Sequence, residues 1–124
     1  MFDFIRKALF HKNIVTPGTY DSKVKSVRWA KDYPQGCAFK IKYNLILKNG
    51  KKATYSEIIF NPEIFNKYER GKRFLDYLLS NGLTDLSEFK GCHEILTLKE
   101  IVIDHRTHIV IDERKFIGRG NKGA

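Results

Sequence analysis

Residues 37–60 read CAFKIKYNLILKNGKKATYSEIIF, and the fold turns on how this stretch alternates. Cys37, Phe39, Ile41, Tyr43, Leu45 and Leu47 fall on one side of an extended chain, and Lys40, Lys42 and Asn44 fall on the other. The apolar row must face a core, because burying Lys40 and Lys42 without partners is prohibitive. Asn49-Gly50 reads as a hairpin turn, since both residue types tolerate positive φ. Residues 51–60 then form the next strand, and its face has to be chosen. A lone carboxylate is disfavoured in a core, so Glu57 is expected outside. Tyr55, two residues away, is then expected beside Lys40, Lys42 and Asn44.

Working outward, residues 24–31 give a preceding strand with Val27 and Trp29 on one face, and KDYPQG (31–36) is a loop. Trp29 reads either as core or as the mouth of a groove. After Phe60, Asn61 and Pro62 open a helix, with Glu63 in its first turn. Helical character weakens at Gly71 and resumes in KRFLDYLLSNG, where Phe74, Tyr77 and Leu78 make an inward stripe. Asn81-Gly82 stops it, and Thr84 caps a further turn, DLSEFK. Two more strands, 94–104 and 108–116, flank a turn at 104–107. Three strands, a helix and two strands are the order of the OB-fold, a five-stranded Greek-key barrel. A twisted open sheet on one helix shares this pattern, whereas an SH3-like barrel lacks so long a helix there. Closure of the barrel removes exposed strand edges, which favours it. The expected division is an amphipathic helix and connector (1–22), the OB-fold domain (23–118) and a basic, flexible tail (119–124).

The 124 residues fit one domain, large enough for a core without disulfide or metal. Lys and Arg number 23 against 14 Asp and Glu, and a net charge of +9 on so small a chain points to nucleic acid or an anionic surface as partner. Cys37 and Cys92 form no CxxC unit and read as thiols of a reducing cytosol. No apolar run reaches the roughly 20 residues that span a membrane. The N-terminal patch is broken by Asp3, Arg6 and Lys7 and lacks the pattern of a signal peptide, so a cytoplasmic protein is expected.

On an OB barrel the outer surface of the second and third strands binds oligonucleotides between flanking loops. Lys40, Lys42, Asn44 and Tyr55 are the expected platform, with Lys31 and Tyr33 from one loop and His105 and Arg106 from another. Cations neutralise phosphates and release counterions, and aromatic rings stack on bases at about 1–3 kcal/mol each. Single-stranded DNA, or RNA, is the partner this combination suits. His105 and His108 straddle a turn and make no helical zinc pair. No phosphate loop, HExxH or GxSxG occurs. Asp104, Asp112 and Glu113 read as solvated rather than as a magnesium site. No enzyme, metal or cofactor is expected.

The patterns YNLILKNGKKATYSEIIF, FLDYLLSNGL and FKGCHEILTL, with the strand order, resemble the small OB-fold single-stranded-DNA-binding proteins of phages and conjugative plasmids of Gram-positive bacteria, over roughly residues 24–118. The resemblance implies sequence-independent, often cooperative coating of single strands, in conjugation or phage replication. Housekeeping relatives end in an acidic tip, whereas this chain ends RKFIGRGNKGA, which is basic. In residues 1–12, Phe2, Phe4, Ile5 and Leu9 belong to an amphipathic helix expected to pack on its own barrel, to link copies into an oligomer, or to lie on a membrane surface. The alternative function is a phage- or plasmid-borne module that binds and inhibits a host protein.

Overall fold

The alternating stretch forms two antiparallel strands. These are β2 (Ala38–Ile46) and β3 (Lys52–Phe60), preceded by β1 (Gly18–Trp29). Helix α1 (Glu69–Ser80) and a 3-10 turn (Leu86–Phe89) lead to β4 (His93–Ile103) and β5 (Arg106–Gly118). This computed structural model describes residues 15–62 and 69–119. The N-terminal helix expected to carry Phe2, Phe4, Ile5 and Leu9 lies outside the described residues, as do Glu63 and residues 120–124.

The strands make one antiparallel sheet in the order β3-β2-β1-β4-β5. β1 is central because it is long and shared. Gly18 to Lys23 pair with β4, and Asp21 to Trp29 pair with β2. Residues 18–22, expected in a connector, are therefore part of the sheet, where Ser22 and Val24 point inward. The inner row of β2 is as expected: Phe39, Ile41, Tyr43 and Leu45 are buried, and Lys40, Lys42 and Asn44 are half-exposed on the far side.

The face of β3 is opposite to the expectation. Leu47 N–H donates to Lys51 O and Gly50 N–H to Leu47 O, both at 2.8 Å, so the turn encloses three residues, 48–50. Only Gly50 takes the left-handed conformation (φ 83°), while the Asn49 side chain accepts from Lys51 N–H at 2.9 Å. This is a three-residue hairpin loop rather than a two-residue one. The extra residue moves the register by one and exchanges the faces of the third strand. Leu45 faces Ala53, Tyr43 faces Tyr55 and Ile41 faces Glu57. Glu57 is therefore buried, and Tyr55 lies on the core side.

The sheet is open. β3 and β5 are its two ends, and side chains rather than a backbone ladder cross between them. Tyr55 hydroxyl donates to Ile109 O at 2.8 Å, and the Arg114 guanidinium binds Glu57. Helix α1 covers the inner face with Phe74 and Leu78, and the Phe74 ring lies 5.9 Å from that of Phe39 and 5.4 Å from that of Phe89. Each such burial stabilises the fold by about 1.5–3 kcal/mol. Gly71 permits the approach of α1, because a Cβ there would stand 2.6 Å from Phe60 O. The cap of the 3-10 turn is Asp85, not Thr84. Asp85 accepts from Ser87 N–H, and Glu88 reaches back to the N–H of Asp85.

Candidate nucleic-acid interface

The outer face is best described by rows of directly paired residues. Arg28, Lys40 and Ile58 form one row across β1, β2 and β3, and Ser26, Lys42 and Ser56 form the next. Further along β2 come His93, Lys23, Asn44 and Thr54, in a row that starts on β4. Asp21, Ile46 and Lys52 follow. Each row is two residues, about 6.7 Å, from the next along an uninterrupted strand. The expected platform residues Lys40, Lys42 and Asn44 stand together on this face.

A cleft of about 240 Å³ opens where β1 runs into its loop, lined by Arg28, Trp29, Lys31, Lys40, Lys42 and Ile58, with Ala30 and Asp32. Trp29 is 46% exposed. It ends β1, and its ring meets Phe39 edge-on at 6.3 Å. By register Trp29 falls on the side of Val27 and Phe39, at the end of the sheet, and it also borders this cleft. Lys31 lines the same cleft, as expected. Tyr33 is exposed and packs edge-on against Phe60 at 5.2 Å, at the β3 end of the face.

Tyr55 does not join this platform. Its ring lies 6.2 Å from that of Tyr43, and burial, reinforced by Glu57, pushes its hydroxyl up to about 12. His105 and Arg106 sit exposed at the β4–β5 turn, where Asp104 and His105 both take positive φ (51° and 66°). Among the described residues, no hydrogen bond or ion pair joins them to Lys40 or Lys42, and the cleft that those lysines line does not include them.

The inner side holds a charge cluster that the sequence reading missed. Glu57 receives Tyr43 hydroxyl, Arg114 and, at 2.7 Å, Arg70. Glu94, also buried, receives Tyr77 hydroxyl at 2.6 Å and Arg114 at 3.4 Å. The Arg114 guanidinium lies 5.0 Å from the Phe74 ring centroid, a cation–π distance. Burial would raise the Glu57 carboxyl, but Arg114, Tyr43 and Arg70 outweigh it and hold it below the ordinary value. Burial prevails at Glu94 and raises its carboxyl despite Arg114 and Tyr77. Burial and the neighbouring Glu57 raise Tyr43. A cleft of about 430 Å³ at the β3–β5 seam is lined by Glu57, Arg70, Arg73, Lys99, Asp112 and Arg114, among others. The signal available beforehand was Arg114 falling on the inward row of β5 with Phe116, an arginine that needs a buried partner.

Neither Cys37 nor Cys92 is in a disulfide, and the buried Cys92 thiol donates to Glu88 O at 3.3 Å. No helix among the described residues is long and apolar enough to cross a membrane. No protein-family model matches the chain, and neither a curated protein nor a solved structure matches it.

Proposed function

We propose that this chain is an OB-fold protein that coats single-stranded DNA without strong sequence preference, using the outer face of β1, β2 and β3. The observation that carries the reading is the outer-face cleft lined by Arg28, Lys31, Lys40 and Lys42, with the 46% exposed Trp29 on its border. Cations take up phosphates and an aromatic face takes up any base, which together favour strands whose bases are unpaired. Support for the OB-fold comes from the order β3-β2-β1-β4-β5, from α1 between β3 and β4, and from the bonds between β3 and β5. In this reading the Tyr43–Glu57–Arg114–Glu94–Tyr77 cluster is structural and takes the place of a β3–β5 ladder. The resemblance to phage and plasmid single-strand-binding proteins points the same way, and the N-terminal residues Phe2, Phe4, Ile5 and Leu9 would link neighbouring copies along the strand.

The test is a salt titration of oligo-dT binding by fluorescence anisotropy. Lys40→Ala with Lys42→Ala should weaken binding to every sequence and flatten the salt slope by about 1.4, the share of two phosphate contacts on a single strand. Unchanged affinity and slope in that double variant would refute the interface. A protein-directed role is the second reading, favoured by the β4–β5 hairpin, where Val102 and Ile103 are 68% and 50% exposed. That role requires the wild-type chain to ignore oligo-dT at any salt.

A further inference from the structure

The outer face continues past Lys42 to a second cleft of about 230 Å³, lined by Asp21, Lys23, Asn44, Ile46, Lys52 and His93, with Ser22. Four strands build it. His93 on β4 stands directly across from Lys23 on β1, Lys23 across from Asn44 on β2, and Ile46 across from Lys52 on β3. Lys23, Lys52 and His93 are all exposed. Lys23 and Lys52 against Asp21 leave one net positive charge when His93 is neutral. A proton on His93 makes it two. Asn44 adds an uncharged amide, and the β5 neighbour of His93 is Gly118, which carries no side chain.

We infer that this second cleft is a phosphate subsite for the same bound strand, and that protonation of His93 strengthens it. The inference rests on the reading of the outer face as a single-strand track. It adds that the strand runs lengthwise along β2, from the Trp29 cleft toward His93. The six residue steps from Lys40 to Ile46 span about 20 Å, enough to separate two contacts on one oligonucleotide. Phosphodiester is the ligand class, because the cleft offers cations and an amide but no exposed aromatic ring on which a base could stack. Imidazole changes charge between about pH 5 and 8, so the subsite should strengthen as pH falls through that range.

The experiment measures oligo-dT affinity at pH 6.0 and pH 7.5, at fixed ionic strength, for the wild-type chain, His93→Gln, Lys23→Ala, and Lys40→Ala with Lys42→Ala. Wild type should bind about two- to fivefold more tightly at the lower pH, the effect of one exposed charge. His93→Gln should lose that difference. Lys23→Ala should weaken binding at both values. The Lys40/Lys42 variant should bind weakly yet keep the pH difference. His105 and His108 are both retained in His93→Gln, so a pH difference that came from them would survive the substitution. A pH difference that survives His93→Gln intact would overturn the subsite and leave the Trp29 cleft standing. Absence of wild-type binding at both pH values would remove the single-strand reading itself, and the subsite with it.

Discussion

Glu57 sits among apolar side chains on β3 and stays ionised because three donors reach it. Its carboxyl is held below the ordinary value in the folded chain. Its contribution to stability is therefore complete above the unfolded carboxylate value, about 4.3, and is lost as pH falls through the lower folded value. Glu57→Gln should cost about 3 kcal/mol at neutral pH, because it leaves Arg114 short of its counter-charge. Urea denaturation at pH 7 and at pH 3 checks this, and the gap between variant and wild type should narrow at the lower pH. Glu94 works in the opposite sense. Its raised carboxyl costs stability as pH rises above the unfolded value, which sharpens the expectation that the effect belongs to Glu57. The burial of Glu57 could not be read from the chain, since Arg114 lies 57 positions away and Arg70 lies 13. A carboxylate with no visible partner is sensibly placed outside, and Tyr55 was carried outside with it.

At the scale of elements, β2 was legible to its inner row, because alternation over so many residues admits only one buried side. The two hairpin ends show why β3 was not. At β4–β5, the two-residue turn Asp104-His105 has both residues left-handed, and the strands matched expectation within a few residues. At β2–β3, Asn49-Gly50 announces a turn but not its length. One further residue in the loop reverses the faces of everything that follows. Gly71 was read as a weak point in the helix, whereas its role is contact: α1 lies against Phe60 O where no Cβ fits. Gly71→Ala should improve helix propensity yet destabilise the fold by about 1–3 kcal/mol through that clash. A lowered midpoint in thermal denaturation is the expected result, and a raised one would show that α1 moves away freely.

For the molecule as a whole, the sheet separates two kinds of charge. The inner side pairs its charges into a cluster that ties β3, α1, β4 and β5. The outer side carries Arg28, Lys31, Lys40, Lys42, Lys23 and Lys52 along two clefts, with Trp29 bordering one and His93 lining the other. The lysine row of β2 was legible from alternation alone. Its companions on β1 and β4 depend on strand order, which pairs residues distant in sequence, and so Arg28, Lys23 and His93 were missed. Trp29 was ambiguous because alternation assigns it to the core side, opposite Phe39, while its place at the end of β1 leaves it 46% exposed. It is also the chain's single tryptophan, so its emission reports on this cleft alone. The most direct measurement is tryptophan fluorescence during titration with oligo-dT at low salt, with anisotropy of a labelled strand followed in parallel. Stacking of a base on the indole predicts strong quenching that tracks binding and reverses as salt is added. Binding seen by anisotropy with Trp29 emission unchanged would contradict the account.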